Sequence, residues 1–302
     1  MTKAELKERR IAVLMGGISS ERDVSLRSGA AVLGALTNGG YDAVGIDVNN
    51  DIGRELELSR AQVAFVALHG RWGEDGIIQG VLEMMKIPYT GPGVLGSAAA
   101  LDKAVMKYIL RGRHIPTPPY AVVRKGEPCP FPLPFVAKPA REGSTIGISV
   151  VREEKEIKRA LETAFRYDKT VFVEKVIKGR EITVGMVNGM GLPVVEVKPS
   201  SGFYDYEAKY TKGMTEYIVP ARISAAITHK AAALAADVYD AFDLSGCVRT
   251  DMLIDRGIRY VIDINTSPGM TETSLVPKAW AHQGGTFTTL VEEILTGAGL
   301  KG

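Results

Sequence analysis

The sequence predicts a protein of the α/β class, and three features carry that prediction. Over the first ninety residues, short apolar runs typical of buried strands alternate with helical segments, which is the βαβ pattern of a small parallel sheet. Further along the chain, pairs of β-branched runs flank glycine-containing turns, as in antiparallel hairpins. The 302 residues are enough for about two to three domains. We therefore expect a parallel N-terminal unit followed by units that contain antiparallel strands.

The composition argues against several classes of protein. The chain has 45% hydrophobic and 24% charged residues, which is ordinary for a globular protein. Because 37 basic residues nearly balance 35 acidic ones, no overall field draws the chain to nucleic acid or to a membrane surface. No apolar run reaches the ~18 residues of a membrane span, so we expect no membrane insertion. The two cysteines, Cys129 and Cys247, lack metal-site spacing, which favours a cytoplasmic location.

In the N-terminal part, polar side chains follow the ends of predicted strands. Glu21 and His69 lie just past such ends, where an open α/β sheet faces its ligand crevice. Glu21 could pair with an ammonium group and His69 with a carboxylate. Each residue has an equally acceptable alternative. Glu21 could be a first-turn carboxylate favoured by the helix dipole, and His69 could be an ordinary loop histidine. A Rossmann dinucleotide site is weakly supported, because the Gly16-Gly17 turn lacks the spacing G-x-G-x-x-G. Strands are predicted at 11–15, 41–48 and 63–68. One helix is predicted to end near Asn38, and another is predicted at 76–86.

The middle of the chain is predicted to contain a phosphate-binding hairpin. One helix is predicted at 97–111, and the prolines that follow it mark a hinge between domains. Strands at 135–139 and 148–151 flank the glycine-containing loop 141–147, which can offer backbone N–H groups to a triphosphate. No Gly-Lys-Ser/Thr sequence opens a helix here, so Lys138 would supply the positive charge. A simple surface hairpin is the alternative.

The next segments carry further charged residues. A strand at 171–176 contains Glu174 and Lys175, which could border an adenine site or form a solvated charge pair. The polar, aromatic segment 200–213 is predicted to be a closing loop whose lysines complete a phosphate site. The remaining predicted elements are helices at 154–165, 224–242 and 287–295 and strands at 181–187 and 192–197.

A hairpin near the C-terminus carries the residues most suited to a metal. Its strands, 248–255 and 258–265, alternate with period two, so Asp251 shares a face with Arg249, and Asp263 shares one with Asn265. Carboxylate and amide oxygens without His or Cys suit Mg²⁺, which leaves room for waters and phosphates. The simpler interpretation is a set of polar residues on the wet face of a hairpin.

Five ordered motifs resemble those of the D-alanine–D-alanine ligases, a family of the ATP-grasp superfamily. The resemblance implies an ATP-grasp fold of three domains, in which two α+β domains clasp ATP. It also implies ligation of two D-alanines to D-alanyl-D-alanine through an acyl phosphate, for peptidoglycan synthesis. The motifs lie at 16–26, 69–76, 138–144, 204–210 and 265–270, and the implied domains are 1–92, 93–185 and 186–302.

Site residues are carried over by position, as what the resemblance implies. The group around the first substrate consists of Glu21, Ser144, Tyr210 and His69. The phosphate-neutralising lysines are Lys103, Lys138 and Lys209, and the nucleotide-binding segment contains Glu174, Lys175 and Glu181. The ligands of two Mg²⁺ ions, which Mn²⁺ could replace, are Asp251, Asp263 and Asn265. The oxyanion-stabilising groups are Arg249 and the backbone at Gly269, and the carboxylate of the second D-alanine is held by Ser274 and Leu275.

The family pattern also bears on substrate choice and assembly. A tyrosine at position 210 goes with D-alanine as the second substrate, and a homodimer is implied. Asp263 is a departure, because the family usually has Glu there. Two alternatives stay open: a ligase that uses D-lactate or D-serine as acceptor, and a nucleotide-binding relative without catalysis.

Overall fold

A computed structural model gives the fold of residues 1–143, 145–199, 214–271 and 273–302. In these ranges, no helix is both long and apolar enough to cross a membrane. The helices are α1 (Lys3–Lys7), α2 (Arg22–Asn38), α3 (Ile52–Ser59), α4 (Ile77–Met84), α5 (Val94–Leu101), α6 (Lys103–Gly112), α7 (Glu154–Ala164), α8 (Ala225–Ala241), α9 (Leu275–His282) and α10 (Phe287–Thr296). The strands are β1 (Ile11–Gly16), β2 (Ala43–Val48), β3 (Val63–Val66), β4 (Tyr120–Val123), β5 (Phe135–Pro139), β6 (Ser149–Val151), β7 (Val171–Lys175), β8 (Arg180–Val187), β9 (Met190–Gly191), β10 (Val195–Pro199), β11 (Thr215–Ile218), β12 (Cys247–Asp255) and β13 (Ile258–Asn265).

The N-terminal sheet is parallel, with the strand order β2-β1-β3. Ile11 of β1 is paired with Ala43 of β2 and with Val63 of β3. Every residue of β1 is buried, because apolar side chains pack on both faces of the sheet. The chain then turns at Gly16, whose φ of +79° is a conformation that favours glycine. The predicted parallel N-terminal sheet is therefore confirmed.

Two antiparallel sheets follow. The second sheet has the order β4-β7-β5-β6, and the third has the order β11-β10-β8-β12-β13, with β9 paired to β8. The strand β8 belongs to the third sheet, so sheet membership places the start of that unit at about Arg180. The domain boundaries at 92 and 185 stay predictions.

One hydrophobic core joins the two ends of the chain. Met15 and Leu36, from the parallel sheet and α2, lie in the same buried cluster as Leu275 of α9 and Leu290 of α10. The N-terminal ammonium group also donates to the carbonyl of Thr296, at 2.7 Å. This packing fixes the carboxyl edge of the parallel sheet against the turn that follows β13.

The prediction of a single helix at 97–111 is wrong, because two helices, α5 and α6, occupy this region. Asp102 lies between α5 and α6 with φ of −73° and ψ of 98°, which is extended rather than helical. Its carboxylate accepts from the N–H groups of Ala104 and Val105, at 3.1 and 3.2 Å. An aspartate that bonds the backbone in this way starts a new helix, although the helical spacing of the sequence continues through it.

The sequence pattern also misses several short elements. Among them are the five-residue helix α1, two strands of four residues each, β4 and β11, and two helices of eight residues each, α3 and α9. Elements this short contain too few residues for a hydrophobic period to be recognised.

The capping role of Asp102 leads to a stability prediction. Asp102→Ala should lower the free energy of unfolding by about 1 kcal/mol, because α6 loses its capping hydrogen bonds. Asp51→Ala is the matched control, since Asp51 precedes α3 without a side-chain capping bond. Its effect should stay below about 0.5 kcal/mol in urea unfolding. Equal losses in both variants would contradict the capping role.

Candidate active site

Two cavities lie between the sheets and share part of their walls. The larger has a volume of about 880 Å³ and lies between the second and third sheets. The smaller, of about 90 Å³, is bounded by the N-terminal part, β13 and the turn after it. Lys103, Gly143 and Asp263 line both cavities. A group bound in one cavity can therefore meet a group bound in the other at these residues.

The predicted site residues separate between the cavities. On the larger cavity lie Lys103, Lys138, Glu174, Lys175, Glu181, Asp251 and Asp263. On the smaller cavity lie Glu21, His69, Lys103, Arg249, Asp263, Asn265, Gly269, Ser274 and Leu275. Ser144, Lys209 and Tyr210 lie outside the described residues.

The larger cavity has the size and lining of a site for a small organic ligand. Its volume is within the range of roughly 300–1,000 Å³ that is usual for such sites. Apolar side chains of both sheets, among them Val136, Val150, Leu253 and Ile262, share its wall with several lysines. This mixture suits a molecule with a flat apolar part and an anionic part.

The C-terminal hairpin places its charged residues as the alternation predicts. Asp251 lies opposite Asp263, and Arg249 lies opposite Asn265. The Arg249 guanidinium donates to both carboxylate oxygens of Asp251, at 2.8 and 2.9 Å. Thr183 donates to Asp251 Oδ1 at 2.6 Å, and Asn265 Nδ2 donates to its Oδ2 at 3.1 Å. Asp251 is thus held in a fixed orientation by side chains of its own strand, β12, and of the two neighbouring strands, β8 and β13.

These donor atoms fit a hard divalent cation. The carboxylates of Asp251 and Asp263 and the amide of Asn265 supply a few oxygen ligands, and Mg²⁺ completes such a set with waters and phosphates. No group of three or more His, Cys, Asp or Glu side chains gathers for a metal among the residues that the structure describes. The amide and a bound phosphate would therefore have to complete the site.

Lys103 lies where the cavities meet. Its ammonium is 3.3 Å from Asp263 Oδ1 and donates to the carbonyl of Glu142, at 3.0 Å. Burial alone would lower the pKa of Lys103, but the negative charges of Asp263, Glu74 and Glu21 outweigh burial and raise the pKa. This lysine therefore stays protonated in a place where an anion can approach it.

Glu174 is buried between two lysines on the wall of the larger cavity. It accepts from Lys107 Nζ at 2.6 Å and also pairs with Lys138. Burial would raise the pKa of Glu174, but the two lysines outweigh it and lower the pKa to about 2. Lys107 also donates to Thr117 Oγ1 at 2.6 Å, and Thr117 donates to the carbonyl of Val261 at 2.7 Å. The proline-rich connection is thereby tied to both antiparallel sheets.

Glu21 and the glycine-containing loop lie against each other. Glu21 precedes α2, and its side chain makes no capping hydrogen bond with that helix. A Cβ atom at Gly143 would lie 2.5 Å from Glu21 Oε2, so a larger residue at position 143 would displace this carboxylate. The first strand end and the loop are thus brought to one place.

His69 is buried, and both of its ring nitrogens have protein partners. Nδ1 lies 2.8 Å from the carbonyl of Ser267, so it must carry the hydrogen. Nε2 lies 3.2 Å from Ser28 Oγ, which also accepts from the N–H of Met270 at 3.1 Å. Burial lowers the pKa of His69, so the neutral ring accepts from Ser28. A direct bond from His69 to a substrate carboxylate stays a prediction, and it requires one of these bonds to be exchanged.

Glu74 is a buried carboxylate that the sequence does not single out. Its Oε1 accepts from the N–H groups of Thr266 and Ser267, at 3.1 and 3.0 Å, and its Oε2 accepts from the N–H of Gly70, at 2.8 Å. Burial, reinforced by Glu21, raises the pKa of Glu74 to about 7. It connects the loop after β3 to the turn after β13.

Two features of the sequence could have indicated Lys107 and Glu74. Lys107 is spaced three residues from Ala104 and from Leu110, which are buried in α6, so the pattern places a lysine on a buried helix face. Glu74 lies in the motif 69–76, close after a strand end. Neither feature identifies the partner, because each partner comes from a distant segment.

Comparisons with known proteins agree along the whole chain. A family model described as D-ala D-ala ligase C-terminus matches residues 109–296, and one described as D-ala D-ala ligase N-terminus matches residues 49–92. A D-alanine–D-alanine ligase of Syntrophotalea carbinolica is 49% identical over 304 residues, which cover 100% of both chains. One of Geotalea uraniireducens is 47% identical and covers 100% of this chain and 99% of the relative.

Solved structures are similar as well. A crystal structure of D-alanine–D-alanine ligase from Bacillus anthracis superposes with a TM-score of 0.86 at 36% identity, covering 96% of this chain and 97% of that one. A crystal structure of the Bacillus anthracis ligase complexed with ATP gives a TM-score of 0.84 at 33% identity, with the same coverage.

The pairing of Glu174 leads to a stability prediction with a pH dependence. Glu174→Gln leaves two buried ammonium groups without their counter-charge, which should lower the free energy of unfolding by about 3–5 kcal/mol at neutral pH. Because the pKa of Glu174 is lowered from 4.5 to about 2, its contribution is present above pH 4.5 and is lost as the pH falls towards 2. Urea unfolding between these pH values should show the two proteins converging.

The control for this prediction is an exposed ion pair. Glu216 lies 3.5 Å from Lys198, and the side chains of both are more than half exposed. Glu216→Gln should change the free energy of unfolding by less than about 1 kcal/mol. If Glu174→Gln is as stable as this control, the charge of Glu174 does not contribute to the stability of the fold.

Proposed function

The chain belongs to the D-alanine–D-alanine ligase family, and from that premise we propose how its residues perform the reaction. The protein is an ATP-dependent ligase of the ATP-grasp fold, and it joins two D-alanines into D-alanyl-D-alanine for peptidoglycan synthesis. The observation that carries the residue assignment is the wall shared by the two cavities, where Lys103 and Asp263 lie.

The reaction needs two sites that meet, because a free carboxylate is a poor acyl donor. The carboxylate of the first D-alanine attacks the γ-phosphorus of ATP, an acyl phosphate forms and ADP leaves. The amine of the second D-alanine then attacks the acyl carbon, and phosphate leaves. The γ-phosphoryl group therefore has to lie between the nucleotide and the amino acids.

The larger cavity is proposed to hold ATP. Its apolar walls suit the adenine, and Glu174 and Lys175 border this region from β7, with Glu181 on β8. Lys138 and Lys103 are proposed to neutralise the phosphates, since both ammonium groups lie on the cavity wall. Glu174 serves Lys138 by holding it in place through their ion pair.

Two Mg²⁺ ions are proposed to bind at Asp251, Asp263 and Asn265, with Mn²⁺ as a substitute. When bound, the ions neutralise charge on the phosphoryl group that is transferred. Asp263 is one methylene shorter than the glutamate that the family pattern usually has at this position. Lys103 lies 3.3 Å from Asp263, so the position of this carboxylate is also set by an ammonium group.

The smaller cavity is proposed to hold the two D-alanines. Glu21 would pair with the ammonium of the first, and His69 is proposed to lie beside its carboxylate. Ser274 and Leu275 are proposed to bind the carboxylate of the second D-alanine. Ser274 precedes α9, and its hydroxyl accepts from the N–H of Thr271 at 2.9 Å, which orients this segment. Ser144 and Tyr210 are proposed to complete the group around Glu21, and Lys209 to complete the phosphate site.

The oxyanion of the tetrahedral intermediate is proposed to be stabilised by Arg249 and the backbone N–H of Gly269. Both residues line the smaller cavity. The Arg249 side chain is mostly buried and is oriented by two hydrogen bonds to Asp251. A fixed cation needs little reorganisation when negative charge develops, which is the condition for electrostatic catalysis.

Location and assembly are further proposals. We place the protein in the cytoplasm, and the free thiols of Cys129 and Cys247 support a reducing compartment. We also propose a homodimer, as the family resemblance implies. Large apolar side chains exposed on α4 and α5, such as Met84 and Leu95, offer surface that a second copy would cover.

Phosphate release tests the proposed function. With ATP and Mg²⁺, D-alanine should stimulate phosphate release and give the dipeptide, whereas L-alanine should not. D-lactate and D-serine should be poorer acceptors at neutral pH, and any advantage of D-lactate should appear at lower pH, where the competing amine is protonated. Absence of phosphate release above background would instead indicate a nucleotide-binding relative without catalysis.

A substitution in the hairpin tests the oxyanion assignment. Arg249→Ala should lower kcat by about 10²-fold or more, because a charge aimed at the developing oxyanion is lost. Arg256→Ala is the control from the same hairpin, since its side chain is 92% exposed. It should retain the kcat of the wild type in a coupled assay of ADP formation. Near-normal turnover of Arg249→Ala would refute the assignment.

A further inference from the structure

The turn after β13 is held at both ends by side chains from the N-terminal part of the chain. Glu74 accepts from the N–H groups of Thr266 and Ser267 at one end of the turn. Ser28 accepts from the N–H of Met270 at the other end. Gly269 lies between these two attachment points, and its N–H is the backbone group assigned above to the oxyanion.

The hydrogen-bond partners of Glu74 explain why a carboxylate is needed at position 74. All three backbone groups that contact Glu74 are donors, with Thr266 and Ser267 on one oxygen and Gly70 on the other. The backbone N–H groups favour the ionised form of Glu74, which accepts at both oxygens, whereas an amide places its own N–H groups on one side. Glutamine would therefore set a donor against a donor at one end of the bridge. The residue is buried, so water cannot easily replace the lost bond.

The bridge lies outside the wall of the proposed nucleotide site. Glu74 lines the smaller cavity and is absent from the wall of the larger one. The residues that it joins, Gly70 in the loop after β3 and the Thr266–Ser267 pair, are far apart in the chain and meet only through the shared core of the two ends. A change at Glu74 thus acts on the turn by direct contact. It acts on the ATP pocket through charge, since Glu74 is one of the carboxylates that raise the pKa of Lys103, and Asp263 contributes most to that effect.

We propose that Glu74 is a positioning residue of the ligase, which holds the turn 266–270 so that the N–H of Gly269 faces the oxyanion of the second half-reaction. The proposal rests on the function assigned above. Ser28 serves the same turn from its other end. Glu74 acts through the turn, because its two oxygens accept from the N–H groups of Gly70, Thr266 and Ser267.

This role predicts uncoupling rather than simple inactivation. If the turn is displaced, the acyl phosphate still forms, but attack by the second amine slows because the oxyanion is less stabilised. The acyl phosphate is then lost to hydrolysis: water attacks the phosphorus, the bond from phosphorus to the acyl oxygen breaks, and D-alanine leaves as its carboxylate with a proton released to solvent. Phosphate is produced without an equal amount of dipeptide.

The experiment measures phosphate and dipeptide together in wild type and in Glu74→Gln with saturating ATP, Mg²⁺ and D-alanine. In the variant, kcat for dipeptide should fall by about 10- to 100-fold, as expected for a small displacement of a catalytic group. The ratio of phosphate to dipeptide should rise, while the KM for ATP stays within about twofold of wild type. An unchanged ratio in a folded Glu74→Gln protein overturns the proposal.

Two further variants separate positioning from general damage. Asp75→Asn is the matched control, because Asp75 also accepts backbone N–H groups in this loop, from Trp72 and Ile77, without touching the turn. It should keep phosphate and dipeptide equal, and a rise in the ratio of phosphate to dipeptide as large as that in Glu74→Gln overturns the proposal.

Ser28→Ala should raise the ratio of phosphate to dipeptide as well, and this variant provides the test if Glu74→Gln does not fold. Absence of D-alanine-dependent phosphate release in the wild type would refute the assigned function instead.

Discussion

Lys103 and Asp263 are opposite charges on the wall that the two cavities share, and the side chain of the lysine is only 7% exposed. Removing a charge from water is costly unless an opposite charge or hydrogen bonds replace the lost hydration. Asp263, Glu74 and Glu21 together keep Lys103 protonated in this position. The proposed meeting point of the two substrates is therefore a place where a protonated lysine is available to the γ-phosphoryl group.

The same constraint applies to the deeper residues of the proposed nucleotide site. Lys107, Glu174 and Lys138 form a line of alternating charge, and Lys107 lies beneath the cavity wall rather than on it. With two ammonium groups for one carboxylate, the line carries a net positive charge that faces the cavity. Lys107 thus neutralises Glu174 and leaves the charge of Lys138 available to an anion.

Packing between the two ends of the chain fixes the positions of the segments that form the site. The parallel sheet and α2 share a core with α9 and α10, so the loops after β1 and β3 are fixed relative to the turn after β13. Glu74 and His69 join the loop after β3 to that turn by hydrogen bonds, and Ser28 joins α2 to it. A rigid frame of this kind holds the groups at the reacting centre in place, and the glycine-containing loop approaches Glu21 from the central sheet.

The sequence by itself determined the α/β class, the parallel N-terminal sheet and the face of the hairpin that carries Asp251, Asp263 and Asn265, because these follow from local periodicity and turn residues. It also determined the family, through motifs that are each contiguous in the chain. Only the tertiary structure decided that Asp102 divides a predicted helix, that Lys107 neutralises Glu174, and that Glu74 binds the turn after β13. Those partners are separated by long stretches of chain, and no local pattern specifies which distant backbone group a buried charge will meet.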